Sequence, residues 1–144
     1  RDRSNMLQQI YPSVEHPYQF ELNKDFNFSA AHYIPCEDAG KCMRTHGHTY
    51  FVNITIAGDE LDHNGFLVNF ADLKKLIHNQ FDHHLLNDLE PFKGKNPSTE
   101  IVAQTIYTMV KDYLSKRDNQ PKCVQVFLRE TPTSYVVYRP KDAQ

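Results

Sequence analysis

The sequence predicts an α+β fold: one antiparallel sheet with two helices on one face, in the order β-β-α-α-β-β. Three observations predict it. Two β-branched and aromatic segments come early, two segments of helical spacing fill the middle, and two further strand-like segments close the chain. Strands paired at both ends of a helical centre assemble most simply as one sheet covered on one side. At 144 residues the chain is long enough for one domain with a real core. Residues 1–18 carry Pro12 and Pro17 and little periodicity, so an N-terminal arm is expected there, with a single domain over residues 19–144.

Each element follows from local spacing. Residues 19–32, QFELNKDFNFSAAH, place Leu22, Phe26, Phe28, Ala30 and His32 on one parity, which is strand spacing. Residues 33–45 contain Pro35 and Gly40 and read as a loop. Residues 46–57, HGHTYFVNITIA, put His46, His48, Tyr50, Val52, Ile54 and Ile56 on one face. The histidines therefore stand at the polar end of an apolar strand face. GDELDHNG, residues 58–65, is a turn. In VNFADLKKLIHNQFD, Phe70, Leu73, Leu76 and Ile77 follow helical spacing, with Asn69 as the expected N-cap. A loop around PFKGKNP follows. Asn96 and Pro97 read as an N-cap and first residue of a second helix. Its apolar stripe runs through Ile101, Val102, Thr105, Ile106, Met109, Val110, Tyr113 and Leu114. KCVQVFLRE and SYVVYRP are the closing strands, joined by a tight TPT turn.

Composition removes several classes of function. A net charge of −2 gives no general attraction to nucleic acid or to a membrane surface. No apolar run is long enough to span a bilayer. The opening RDRSNMLQQIYP has no apolar leader segment, and three cysteines are few, so reduced thiols in a cytoplasm are expected. Neither a Gly-rich dinucleotide fingerprint nor an H-E-x-x-H motif occurs.

The chemistry concentrates in histidines. Residues two apart on a strand point the same way, so the imidazoles of His46 and His48 can converge on one ion. His32 ends the preceding strand, and an antiparallel return through the loop brings it near His46. Three neutral imidazoles suit zinc in a site that keeps one position open. Cys42 is then free for chemistry, and a metal together with Lys41 and Arg44 would acidify its thiol. Two other readings stand beside this one. Cys36, Cys42, His46 and His48 could close a structural site, although C-x5-C and H-x-H are not finger-type spacings. The histidines could also merely cap a strand.

A second group lies in FDHHLLND, where Asp82 precedes His83 and His84. A carboxylate beside a histidine orients the ring and raises its basicity, as a proton relay needs. Glu130 ends a strand before a turn. It is either a turn-flanking acid or an anchor for a guanidine-like edge, which a carboxylate accepts through two hydrogen bonds. Glu100, in NPSTE, stands in the first turn of a helix, where the dipole favours an acid.

Together these residues resemble the 6-pyruvoyl tetrahydropterin synthase family. The resemblance runs over about residues 20–139 and rests on FSAAH, C-x3-HGH, GFLVNF-x-DLK, FDHHLLN, NPSTE and RETPTS. In the C-x3-HGH spacing the chain is similar to the bacterial branch that forms 6-carboxytetrahydropterin in the queuosine pathway. The resemblance implies the tunnelling fold and a homo-oligomer built on a trimer, with two trimers stacked in a hexamer. It implies Zn²⁺ on His32, His46 and His48, Cys42 as proton-abstracting base, and Asp82–His83 as a second acid/base unit. His83 rather than His84 matches the family's Asp-His-x-x-Leu-Asn. Glu130 matches the pterin anchor, with Thr99 and Glu100 in a supporting segment. Lys24, Lys41 and Arg44 are candidates to meet a triphosphate. The implied reaction converts 7,8-dihydroneopterin triphosphate to 6-carboxy-5,6,7,8-tetrahydropterin, acetaldehyde and triphosphate, with no external redox cofactor. The alternatives are a 6-pyruvoyl tetrahydropterin synthase, which stops before carbon–carbon cleavage, and, more remotely, a non-enzymatic zinc-binding module. One position departs from the family: Asn69 stands where an Asp is expected.

Overall fold

A computed structural model describes residues 10–34 and 46–141, the side chain of His46 excepted. Alternation in the first long segment produces β1, Phe20–His32, which pairs antiparallel with β2, His46–Gly58. Phe26, Phe28, Ala30 and His32 are buried on one side of β1, while Glu21, Asn23, Asp25 and Asn27 are exposed on the other. β2 is the central strand of the sheet and is buried on both faces from Val52 to Ala57. The closing pair is β4, Lys122–Thr131, and β5, Ser134–Tyr138. β4 runs antiparallel to β2, and β5 antiparallel to β4.

One pairing departs from the antiparallel expectation. After helix α1, Phe70–Phe81, the chain forms a two-residue strand β3, His84–Leu85, parallel to β1. The sheet is therefore mixed, in the order β3-β1-β2-β4-β5. Two residues carry too little periodicity to be read as a strand from sequence. Two short 3-10 turns, Leu86–Asp88 and Glu90–Phe92, lead on to α2, Thr99–Ser115.

Both helices pack on the even-numbered face of β1 and β2, as expected. There Phe28, Tyr50, Val52, Ile54, Ile56, Val126 and Leu128 meet Leu73, Ile77 and Phe81 of α1 and Val102, Ile106, Val110 and Leu114 of α2. Asn69 caps α1, its side chain accepting from the Ala71 amide at 2.9 Å. The expected stripe of α1 is shifted: Phe70 is 44% exposed, and Phe81 takes its place in the core. A first-turn residue can lie outside the packed stripe, whereas Phe81 lies one helical turn beyond Ile77. The start of α2 is also displaced. Ser98 is its N-cap, accepting from Ile101 N at 3.3 Å, while Asn96 is exposed and Pro97 is buried before the helix.

The opposite sheet face is polar and partly covered. Asn53, Thr55 and Gln125 are buried there and hydrogen-bonded. Asn53 Nδ2 donates to Asp25 at 2.9 Å, and Thr55 Oγ1 to Asn23 at 2.7 Å. Gln125 Nε2 donates to the carbonyl of Pro12 at 2.9 Å, so residues 11–13 of the lead-in lie over this face. Tyr11 closes the contact edge-on against Phe127 at 4.7 Å.

Candidate metal centre

The register of β1 and β2 brings the histidines together. His32 lies opposite His46, and Ala30 opposite His48. The small Ala30 leaves room for the His48 ring to lean toward His32, and the two rings stack at 5.3 Å. His32 is buried and His48 half-buried. A third donor comes from β4, at the shift in register between Arg129 and Thr131, where Glu130 has no cross-strand partner on β5. Such bulges re-aim side chains beside functional sites. Glu130 Oε2 lies 3.4 Å from His32 Nε2 and 3.2 Å from His48 Nε2.

His32, His48 and Glu130 each present one donor atom, all within 4.8 Å of one another, so they can hold a metal ion. The donor set is two imidazoles and a carboxylate, which zinc accepts. At metal–ligand lengths near 2.0–2.1 Å, the edge of a tetrahedron is about 3.3 Å, close to the two nitrogen–oxygen separations. The other oxygen of Glu130 is held as well, accepting from Thr99 Oγ1 at 2.7 Å. Thr99 is the first residue of α2, so that helix and the bulge fix the carboxylate together.

Behind His32 stands Tyr50. Its hydroxyl lies 2.7 Å from His32 Nδ1, and its ring is fully buried and stacked on Phe28 at 5.0 Å. Burial raises the Tyr50 phenol far above its ordinary value, and the charge of Glu130 adds to this, so the hydroxyl stays protonated.

Asp82 and His83 follow α1 directly and are tied to β1. Asp82 Oδ1 accepts from Ser29 N at 2.8 Å, and His83 N donates to Ser29 O at 2.5 Å. Asp82 Oδ2 faces His83 Nε2 at 3.5 Å. His83 has φ +62°, left-handed backbone that a non-glycine residue adopts at a cost, and its ring is 82% exposed. His83, His84 and His48 share a groove of about 510 Å³ with Ser29, Ala31 and Thr49. Asn87 fastens the end of the strand, accepting from Tyr33 N and donating to Tyr33 O, both at 3.0 Å.

The structure thus unites His32, His48, Glu130 and Thr99, and opens His83 onto the groove that His48 lines. Cys42, Cys36, Lys41 and Arg44 lie outside the described residues, as does the side chain of His46. Glu100 is exposed in the first turn of α2, where it complements the helix dipole. Lys24 does not reach this site in its own chain. It precedes His32 by eight residues, about 26 Å along an extended strand, and its ammonium lies over the Phe70 ring at 5.2 Å. Sequence reasoning missed Tyr50, Ser29 and Asn87. The Tyr50 signal was its shared parity with His46 and His48, which also fits a plain core residue. Ser29 acts through its backbone and gave no signal.

A family model described as 6-pyruvoyl tetrahydropterin synthase matches residues 21–141. The 6-carboxy-5,6,7,8-tetrahydropterin synthase of Bacillus subtilis is 64% identical over 140 residues, which cover 94% of this chain and 96% of that protein. The enzyme of the same name from Haemophilus influenzae is 29% identical over 145 residues, covering 83% of this chain and 99% of its own. Among solved structures, the 6-pyruvoyl tetrahydropterin synthase of Caenorhabditis elegans superposes with a TM-score of 0.70 at 27% identity, covering 90% of this chain and all of that one.

Proposed function

The chain belongs to the 6-pyruvoyl tetrahydropterin synthase family, and from that premise we propose that it is a zinc-dependent lyase. In this reading it is a cytoplasmic enzyme that converts 7,8-dihydroneopterin triphosphate and one water to 6-carboxy-5,6,7,8-tetrahydropterin, acetaldehyde and triphosphate, a step toward queuosine. The water supplies the second carboxylate oxygen as the carbon–carbon bond breaks. The observation that carries the reading is the likeness to the Bacillus subtilis enzyme over nearly the full length of both proteins.

His32 and His48 would hold the zinc, with His46, whose backbone pairs with His32, as third ligand. Bound there, Zn²⁺ would act as a Lewis acid that makes protons on the substrate side chain easier to remove. Cys42 takes such a proton as its thiolate. His83, oriented by Asp82 and exposed in the groove beside His48, carries protons between ring and side chain. Glu130, held by Thr99, accepts the two N–H groups of the pterin's guanidine-like edge. Ring reduction is balanced by side-chain oxidation, so no second redox partner is required. A second reading of Glu130 as metal ligand has its own support in the short separations from both imidazoles. The assembly would be a trimer or a stacked pair of trimers.

Incubating the zinc-loaded protein with 7,8-dihydroneopterin triphosphate and resolving the products by mass spectrometry tests the assignment. Carboxytetrahydropterin with acetaldehyde is the expected result. A pyruvoyl product without acetaldehyde would move the chain to the other branch of the family. No turnover with zinc bound would overturn the proposed reaction.

A further inference from the structure

We infer that Tyr50 is a positioning residue for the metal centre, acting through His32 by fixing which ring nitrogen faces the ion. The inference rests on the metal reading above. A neutral imidazole carries one proton on one of two nitrogens. In His32, Nδ1 is 2.7 Å from the Tyr50 hydroxyl, and Nε2 is 3.4 Å from Glu130. With the proton on Nδ1, the ring donates to the Tyr50 oxygen and turns the lone pair of Nε2 toward His48 and Glu130. With the proton on Nε2, the ring donates to Glu130 and the atom that must bind the cation is blocked. The phenol can donate to Nδ1 or accept from it, but once a cation takes the Nε2 lone pair the proton sits on Nδ1 and the Tyr50 oxygen is placed to accept it. Partners of this kind orient a ligand and raise its basicity.

The strand makes this placement economical. Tyr50 follows His48 by two residues on the same face of β2, so one strand supplies a metal donor and the support for a donor on its neighbour. The tyrosine ring is fully buried and held against Phe28, its direct cross-strand partner. The hydroxyl is thereby fixed in place. Tyr50→Phe keeps this packing, removes the oxygen beside Nδ1 and leaves Glu130 facing Nε2. The Nδ1 proton of the metal-bound ring then loses the phenol oxygen as its acceptor, which weakens the hold on the cation.

The test measures Zn²⁺ affinity by competition with a chelator, at a temperature where the metal-free wild-type and Tyr50→Phe proteins are both folded. The expected loss is about 10- to 100-fold, the usual effect of removing such a partner. In ¹⁵N NMR of the zinc-loaded wild-type protein, His32 should carry its proton on Nδ1. Equal affinity of the two proteins would overturn the inference, as would zinc on Nδ1. Failure of the wild-type protein to bind zinc would instead overturn the underlying metal reading, so the two failures are distinguishable.

Discussion

Glu130 lies where two roles meet, and a single substitution separates them. Glu130→Gln keeps the shape of the side chain and removes its charge. As a pterin anchor, it should lose charge-assisted hydrogen bonds of about 1.5–3 kcal/mol, a fall in kcat/KM on the order of 10- to 100-fold, with zinc retained. As a ligand, it should release zinc. Metal content by atomic absorption beside steady-state kinetics decides, and we expect zinc to stay. His83 carries a different tension. Its left-handed backbone, held by the amide bond to Ser29, projects the ring into the groove. Asn tolerates that conformation. His83→Asn should therefore change stability by less than about 0.5 kcal/mol. It should lower kcat on the order of 10²- to 10⁴-fold, as for a lost acid/base group. Thermal melting and turnover measured together check both halves; a large loss of stability would recast His83 as structural. His32 and His48 were legible from parity because strand spacing translates directly into a shared face. The convergence of Glu130 with them was not legible, because it depends on a bulge that pairs residues far apart in the sequence.

Among the elements, α2 shows most clearly how a small boundary error bears on the site. Asn96–Pro97 offers a strong start signal, yet the helix begins two residues later, with Ser98 as cap and Thr99 as first residue. Pro97 is buried there, so the preceding segment docks before the helix starts. That offset puts Thr99 at the helix terminus, where its hydroxyl reaches Glu130. Ser98→Ala should cost about 1 kcal/mol, the usual loss of an N-cap. Asn96→Ala, at an exposed position, should stay within about 0.5 kcal/mol. Urea denaturation of the two variants ranks them, and the reverse order would show that Asn96 is the working cap. The long strands and both helices were legible because each buries one face through many residues. β3 was not, since its two residues are held by the pairing with β1 and by the ties of Asp82 and His83 to Ser29.

At the scale of the whole molecule, the sheet formed by the described residues stops at two incomplete edges. Along β1, the outer edge is occupied near its end. Asn27 O accepts from His78 at 2.5 Å, Ser29 is bound by Asp82 and His83, and Ala30–Ala31 pair with β3. From Phe20 to Phe26 no strand of the described residues covers that edge, and none covers the far side of β5. Unpaired backbone of this kind is a template for another strand. Phe20, Leu61, Phe66 and Phe70 add exposed apolar surface near the start of β1, where they line one shallow cavity. We expect copies to join β5 to β1, head to tail, and the sheet's twist to close the ring. Sedimentation equilibrium should then give a mass near three times the 16.8 kDa of one chain, or twice that value. Successive residues in a strand turn their N–H groups to opposite edges. Of Val136 and Val137, one therefore bonds β4 and the other faces outward. Proline at the outward position should dissociate the particle into folded monomers, while proline at the inward one should lower the melting temperature. If both variants keep the wild-type mass, or the wild-type protein sediments as a monomer, edge pairing through β5 is wrong.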